Sequence, residues 1–246
     1  MSSLSYICDY GNNSNSEESD SETTIPCSKR PRLPTPNLSK VQVVPEDVHI
    51  DDNTRHGGRT RSFPHVRGNW ATFVYVKGIF RLFTYLIIDE TCQKVEDLHV
   101  SVSRTVTLKY HQIDSFSSSV HTELNNVLSF DLMFRSATVY CNDNKSRTFV
   151  ALEVDPISHP SILNIVKKVD NILLDYKLQK FYEDPSFHMS VLWTNGDKEK
   201  ELKTVLKRLN NIIETKEEYL LWRISQIHCK VGNKQFQYNL KHDVIK

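Results

Sequence analysis

Two short motifs place a histidine and a serine two positions apart: His99-x-Ser101 and His188-x-Ser190. Apolar residues fill the remaining positions of each motif, a pattern typical of a β-strand. Because residues i and i+2 of a strand point to the same face of a sheet, each imidazole lies beside a hydroxyl. If the two strands lie side by side, two imidazoles and two hydroxyls surround one point.

That set of groups can carry out phosphoryl transfer on RNA without a metal ion. One imidazole removes the proton of a 2′-hydroxyl, and the other gives a proton to the leaving 5′-oxygen. Histidine suits both roles because its ordinary pKa lies near working pH. The serine hydroxyls donate hydrogen bonds to the phosphate oxygens as negative charge develops there. We therefore predict His99 and His188 as the catalytic pair and Ser101 and Ser190 as phosphate ligands, with no cofactor and no metal.

The motif is short, and chance alone produces about one copy in a chain with this much histidine and serine. The sequence contains three copies. The third, His159-Pro160-Ser161, includes a proline that disfavours a strand, and we interpret it as the start of a helix. On pattern alone, two hydrogen-bonded histidines in a protein core remain the alternative to a catalytic pair.

The elements around the motifs indicate an α+β fold. Hairpins imply antiparallel pairing, and each half of the chain has a histidine-bearing strand, then a helix, then a hairpin. Strands are predicted over 69–76, 98–106, 132–140, 148–154 and 187–193, helices over 113–128, 160–178 and 198–213, and a second hairpin over 219–230 and 234–240 around Gly232-Asn233.

The first 58 residues differ from the rest of the chain. They contain an acidic, serine- and asparagine-rich run followed by a proline-rich stretch, and they offer too little apolar surface to offset the entropy of ordering. We predict a disordered tail over 1–58 and one globular domain over 59–246. A basic cluster around Lys29 and Arg30 indicates either a nuclear import signal or a solvated charge cluster.

The overall composition is that of a globular protein. The formal net charge is +1, so a nucleic-acid site has to be a local patch. The five cysteines form no Cys-x-x-Cys pair, which argues against a zinc site and a disulfide framework and for a reducing compartment. No apolar run is long enough to cross a membrane.

Longer blocks around the motifs resemble a known family. The paired motifs look like those of the two-histidine phosphoesterase superfamily, and their context is similar to its U6 small nuclear RNA phosphodiesterase branch. The resemblance extends from Arg61 to the C-terminus. The blocks that carry it are GNWATFVYV (68–76), LHVSVSRTVTL (98–108), KSRTFVALEV (145–154) and YEDPSFHMSVLWTNGD (182–197).

The resemblance implies a two-lobed α+β fold with pseudo-twofold symmetry and an active site between the lobes. It implies a distributive 3′-to-5′ exonuclease that trims the oligouridine or oligoadenosine tail of U6 small nuclear RNA and leaves a 2′,3′-cyclic phosphate. The expected partner is therefore an RNA 3′ end, and the expected form is a monomer in the nucleus.

The resemblance also implies roles for further residues. Tyr182 falls where the family stacks an aromatic ring on a base, although a core-packed aromatic is the plainer interpretation. The segment Asp184-Pro185-Ser186 would shape the loop on the phosphate side, and Asp143 in a hairpin turn would contact the nucleotide. Arg104, just after the first motif, either reaches a phosphate or pairs with a surface carboxylate.

Two other functions remain open. A related two-histidine enzyme acting on small cyclic nucleotides or 2′-5′ oligonucleotides would use the same four residues, so only substrate assays separate the two. A catalytically inactive RNA-binding module is the alternative of a different class, and the presence of both intact motifs argues against it.

Overall fold

The histidine-bearing strands lie at the centre of an antiparallel sheet of ten strands in the part of the chain that the structure describes. The structure is a computed structural model, and it describes residues 66–78, 92–142, 145–215 and 220–242. These residues belong to one compact unit. The predicted tail over 1–58 and the predicted nucleotide contact Asp143 lie outside them. Within these ranges, no helix combines the length and the apolar character that a membrane span needs.

The elements follow the predicted alternation of strands, helices and hairpins. The helices are α1 (Ile113–Leu124), α2 (His159–Asp175) and α3 (Glu199–Glu214). The strands are β1 (Asn69–Lys77), β2 (Gln93–Lys94), β3 (His99–Ser101), β4 (Val106–Lys109), β5 (Phe130–Cys141), β6 (Arg147–Val154), β7 (His188–Asn195), β8 (Leu221–Ile224), β9 (Gln226–Val231) and β10 (Lys234–Asn239).

The strand order is symmetric about the two histidine-bearing strands. It runs β10-β9-β1-β3-β7-β6-β5-β8, with β2 added beside β7 and β4 beside β1. Outward from β3 lie β1 and then β9, and outward from β7 lie β6 and then its hairpin partner β5. The α+β class and the pseudo-twofold arrangement are confirmed, and the symmetry centre falls between β3 and β7.

Helices α1 and α2 pack against each other. In α1 the buried side chains recur every three or four residues, so one stripe of the helix joins the core. In α2 the buried side chains follow the same spacing, and Pro160 lies in the first turn, where its missing N–H costs nothing. The buried positions are Ile113, Phe116, Val120 and Leu124 in α1, and Ile162, Ile165, Val166, Val169, Ile172 and Leu173 in α2.

A glycine lets the end of β1 approach the centre of the sheet. A Cβ on Gly78 would lie 2.7 Å from the Met189 sulfur and 3.0 Å from the Leu98 Cβ. The Gly78 N–H donates to the Leu98 carbonyl at 2.8 Å. A larger residue at this position would therefore push β1 away from the strand that carries His99.

For two strands, the predicted residue ranges were wrong. The strand predicted over 98–106 stops at Ser101, because the Ser103 hydroxyl accepts the Val74 N–H at 2.8 Å, where a backbone carbonyl would continue the ladder. The strand predicted over 219–230 is interrupted at Ser225. Its first part, β8, pairs with β5, and only β9 forms the hairpin with β10 around Gly232. Helix α1 also ends earlier than predicted, at Leu124.

Candidate active site

The register of β3 and β7 places the four motif residues in one two-by-two array. Val100 lies opposite Met189 in this antiparallel pair. Their neighbours are therefore paired crosswise, His99 beside Ser190 and Ser101 beside His188. Directly opposed side chains in such a pair have Cβ atoms about 4.5–5.5 Å apart.

The same register separates the polar face of the sheet from the core. Val100 and Met189 point into the core, where they are 1% and 0% exposed. All four histidine and serine residues of the motifs are half-buried on the opposite face. The two buried side chains thus fix the orientation of the array, since a slip by one residue would turn all four polar groups into the core.

A backbone carbonyl holds each imidazole by its Nδ1 atom. His99 Nδ1 lies 2.7 Å from the Asp97 carbonyl oxygen, and His188 Nδ1 lies 2.7 Å from the Ser186 carbonyl oxygen. A carbonyl only accepts, so Nδ1 carries a proton in both rings. In the neutral imidazole the Nε2 atom is then left as a proton acceptor, and in the imidazolium it is a donor.

Tyr140 of β5 holds His188 in place from two strands away. Its ring is stacked on the imidazole with centroids 4.0 Å apart and an interplanar angle of 19°. Its hydroxyl shares a 2.8 Å hydrogen bond with the Ser186 hydroxyl, and the Ser186 carbonyl accepts from His188. Tyr140, Ser186 and His188 therefore form a closed ring of contacts, and burial raises the pKa of the Tyr140 phenol, which stays protonated.

His99 has a different set of neighbours. The edge of the Tyr75 ring packs against it with centroids 5.5 Å apart, and Phe73 lies at the same distance. Lys230 of β9 occupies the position that Tyr140 occupies in the other half of the sheet. Its ammonium lies 3.5 Å from the carboxylate of Asp97, whose carbonyl accepts from His99.

The electrostatic surroundings keep both imidazoles neutral to lower pH than usual. Burial lowers the pKa of His99, the hydrogen bond to the Asp97 carbonyl and the charge of the Asp97 carboxylate oppose this shift, and Lys230 lowers the pKa further. Burial also lowers the pKa of His188, which the Ser186 carbonyl and Glu153 oppose and the nearby His99 reinforces. A carboxylate therefore acts on each ring, Asp97 on His99 and Glu153 on His188, and each is opposed by a positive charge, that of Lys230 and of His99.

Tyr182 is held on the loop that leads to His188. Helix α2 ends where Lys177 takes a left-handed φ of 57° and the N–H groups of Lys177 and Leu178 bond back to the helix. The Phe181 N–H then donates to the Asp170 carboxylate at 2.8 Å. Tyr182 follows directly and is 54% exposed. Its ring is therefore available to a ligand and does not fill the core.

The resemblance also predicted the segment Asp184-Pro185-Ser186 as part of the site, and its three residues differ in their contacts and exposure. Ser186 contacts one of the two catalytic histidines, since its carbonyl accepts from His188, and its hydroxyl bonds to Tyr140. Asp184 is exposed and Pro185 half-buried on the same loop. Among the described residues, no group of three or more His, Cys, Asp or Glu side chains is arranged to hold a metal ion.

Sequence reasoning missed Tyr140 and Lys230. Both lie on strands that reach the site only through the fold, so no spacing relative to the motifs indicates them. The alternation of β5 and β9 shows which side of each strand is polar, and the hairpin pairing fixes their neighbours, but the order of strands in the sheet is needed to place them near His188 and His99.

Known proteins share the sequence of this chain over most of its length. A family model described as HVSL, uncharacterised conserved protein, matches residues 31–81 and 80–239. U6 snRNA phosphodiesterase 1 of Drosophila melanogaster is 38% identical over 262 residues, covering 96% of this chain and 99% of that protein. The protein of the same name from Homo sapiens is 36% identical over 228 residues, covering 86% and 85%.

Solved structures give more distant matches. Kluyveromyces marxianus Usb1 with uridine monophosphate has a TM-score of 0.49 at 17% identity, covering 69% of this chain and 98% of that chain. E. coli LigT complexed with 3′-AMP has a TM-score of 0.46 at 8% identity, covering 70% and 96%.

Two paired His-x-Ser strands at the centre of an antiparallel sheet define a protein of the two-histidine phosphoesterase class. Within that class, the sequence matches decide the family, since several relatives exceed 30% identity over most of the chain. The chain belongs to the HVSL family, which contains the U6 snRNA phosphodiesterases.

Proposed function

We propose that the protein is a 3′-to-5′ RNA exonuclease that trims the oligouridine or oligoadenosine tail of U6 small nuclear RNA. It leaves a 2′,3′-cyclic phosphate and uses no metal ion. The observation that carries the proposal is the array of two imidazoles and two hydroxyls on one face of β3 and β7, with each Nδ1 bound to a carbonyl and each Nε2 left for proton transfer.

The reaction is an intramolecular displacement at phosphorus. The 2′-oxygen of the penultimate nucleotide attacks the last phosphate as one histidine takes its proton. The bond to the 5′-oxygen of the terminal nucleoside then breaks as the other histidine protonates that oxygen. Ser101 and Ser190 donate hydrogen bonds to the non-bridging oxygens, where negative charge builds in the transition state.

The surroundings of the two rings favour His99 as the base and His188 as the acid. A base has to be neutral before the reaction, and burial lowers the pKa of His99, whose ring has no stacked aromatic face among the described residues to stabilise its imidazolium. An acid has to be charged, and both the stacked face of Tyr140 and the carboxylate of Glu153 favour the imidazolium of His188.

Because His188 protonates the 5′-oxygen of the leaving nucleoside, the terminal nucleotide lies next to His188. The exposed ring of Tyr182 stacks on its base, and the segment Asp184-Pro185-Ser186 lines the leaving-group side of the phosphate. Asp143, which is outside the described residues, contributes a contact to the nucleotide in this proposal. The protein works as a monomer in the nucleus, with the domain over 59–246 carrying the activity and the tail over 1–58 outside it.

A single deoxy substitution tests the chemistry. An oligouridine RNA with 2′-deoxyuridine at the penultimate position lacks the attacking oxygen, so the last linkage should resist cleavage by at least a hundredfold, on the order of what a missing nucleophile costs. RNA with the deoxy sugar at the terminal position retains that oxygen and should be cleaved normally. Efficient cleavage of both substrates would show that water or a side chain is the nucleophile.

A further inference from the structure

Arg104 meets Tyr182 across the active site. Arg104 lies in the loop between β3 and β4, three residues after Ser101, whereas Tyr182 lies on the loop that leads to His188. The guanidinium carbon of Arg104 is 3.8 Å from the centroid of the Tyr182 ring, which is van der Waals contact between the two groups. One residue from each half of the sheet thus covers the other.

Among the described residues, no ion pair holds Arg104 in this position. The salt bridges of the described residues do not include Arg104, which rules out pairing with a surface carboxylate there. Its Nε atom is buried without a hydrogen-bond partner. A buried N–H without an acceptor is unfavourable, so the free protein keeps this guanidinium in an incompletely satisfied position.

We propose that Arg104 and Tyr182 are the two walls of a slot for the terminal base of the RNA, so that Arg104 is a base-binding residue of the site. In the free protein the guanidinium plane and the phenol ring close on each other. In the complex the base enters between them, because unstacked RNA bases stack on both aromatic rings and arginine planes. The displaced guanidinium gains acceptors on the edge of the base.

The slot gives the exposed ring of Tyr182 a role, which is to stack on the terminal base. Phe181 packs edge-to-face on Tyr182 and is itself stacked on the buried Phe187. The tyrosine wall is therefore fixed to the core, and the arginine wall is a long side chain that can move. A slot with one rigid and one movable wall accepts either a pyrimidine or a purine, as a mixed tail of uridine and adenosine requires.

This inference rests on the proposed function, and an abasic substrate tests it separately. Binding and cleavage are measured for Arg104→Ala, Arg104→Lys and the control Arg208→Ala, which removes an exposed arginine from α3. One RNA ends in uridine and the other in an abasic ribonucleotide. For the uridine end, both Arg104 variants should raise KM about 3- to 30-fold, since lysine lacks the planar group, and Arg208→Ala should not. For the abasic end, the variants should match the unsubstituted protein.

Three other results would show that Arg104 does not bind the terminal base. An equal loss on the abasic end would mean that Arg104 binds the phosphate or the sugar, as would full rescue by lysine. No change on either RNA would leave Arg104 outside the site. In the double variant Arg104→Ala/Tyr182→Ala, the fold increase in KM should be smaller than the product of the two single-variant increases, since both walls act on one base. If the unsubstituted protein does not cleave the uridine end, the proposed function fails, whatever Arg104 does.

Discussion

The ring of Tyr140 lies almost parallel to the imidazole of His188, at 4.0 Å between centroids and 19° between planes. Its hydroxyl reaches the Ser186 hydroxyl, and the Ser186 carbonyl holds the Nδ1 proton of the same imidazole. Tyr140 therefore fixes His188 in two ways, by its π face and through Ser186. His99 has no face-to-face ring of this kind among its described neighbours, since Tyr75 meets it by the edge.

This relationship predicts different effects for two substitutions of Tyr140. Tyr140→Leu removes the stacked ring, which should lower kcat about 2- to 30-fold, equivalent to about 0.5–2 kcal/mol for a cation–π contact, and leave KM nearly unchanged. Tyr140→Phe keeps the ring and loses only the hydrogen bond to Ser186, so its kcat should fall less. A Tyr140→Phe variant as slow as Tyr140→Leu would show that the hydroxyl, not the stacking, holds His188.

A substrate with a better leaving group tests which histidine is the acid. An RNA with sulfur in place of the last bridging 5′-oxygen expels a thiolate, which needs no proton. His188→Ala should regain most of its lost activity on this RNA, and His99→Ala should not, because the 2′-hydroxyl still needs a base. On the oxygen substrate each variant should lose about a hundred- to ten-thousand-fold. Rescue of His99→Ala alone would reverse the assignment.

The pH dependence follows from the lowered pKa of both histidines. Activity needs one neutral and one charged imidazole, so kcat/KM should be bell-shaped and report the apparent pKa values of the pair in the free protein. Because burial lowers the pKa of each ring below the ordinary 6.5, the optimum should lie on the acidic side of that value. A rate that rises to a plateau above pH 8 would contradict this account of the site.

Much of the fold was predictable because the local patterns are strong. The spacing of apolar residues in α1 and α2 and the alternation in β1, β6 and β7 gave elements whose ends shifted by only a few residues. The failures had tertiary causes. Ser103 replaces a backbone acceptor and ends β3, and β8 leaves its neighbour β9 to pair with β5. No residue near either break has a sequence pattern that distinguishes these outcomes.

The candidate active site, like the fold, could be predicted from the sequence only in part. His99, Ser101, His188 and Ser190 could be predicted to share a face, because the period of a strand places i and i+2 together. That β3 and β7 are neighbours, and that Val100 is opposite Met189, depends on the whole sheet. Tyr140, Lys230 and the contact between Arg104 and Tyr182 depend on the same arrangement, so the motifs alone contain no information about them.

Tyr182 gives a test that separates stacking from packing. Tyr182→Ala should raise KM for oligouridine by about 5- to 100-fold, since stacking of a base on an aromatic ring contributes about 1–3 kcal/mol. The melting temperature should hardly change, because the side chain is 54% exposed. Phe181→Ala is the matched comparison, as Phe181 packs on the core and should lower the melting temperature. A lowered melting temperature with normal KM for Tyr182→Ala would assign it to packing.

Incubation with a short oligouridine RNA in EDTA, followed by mapping of the 3′ ends, tests the central claim most directly. Two histidines that supply the base and the acid need no metal, so the RNA should shorten one nucleotide at a time and end in a 2′,3′-cyclic phosphate. His99→Ala and His188→Ala should be folded and nearly inactive in the same assay. Activity that disappears in EDTA and returns with magnesium or manganese would contradict the two-histidine mechanism.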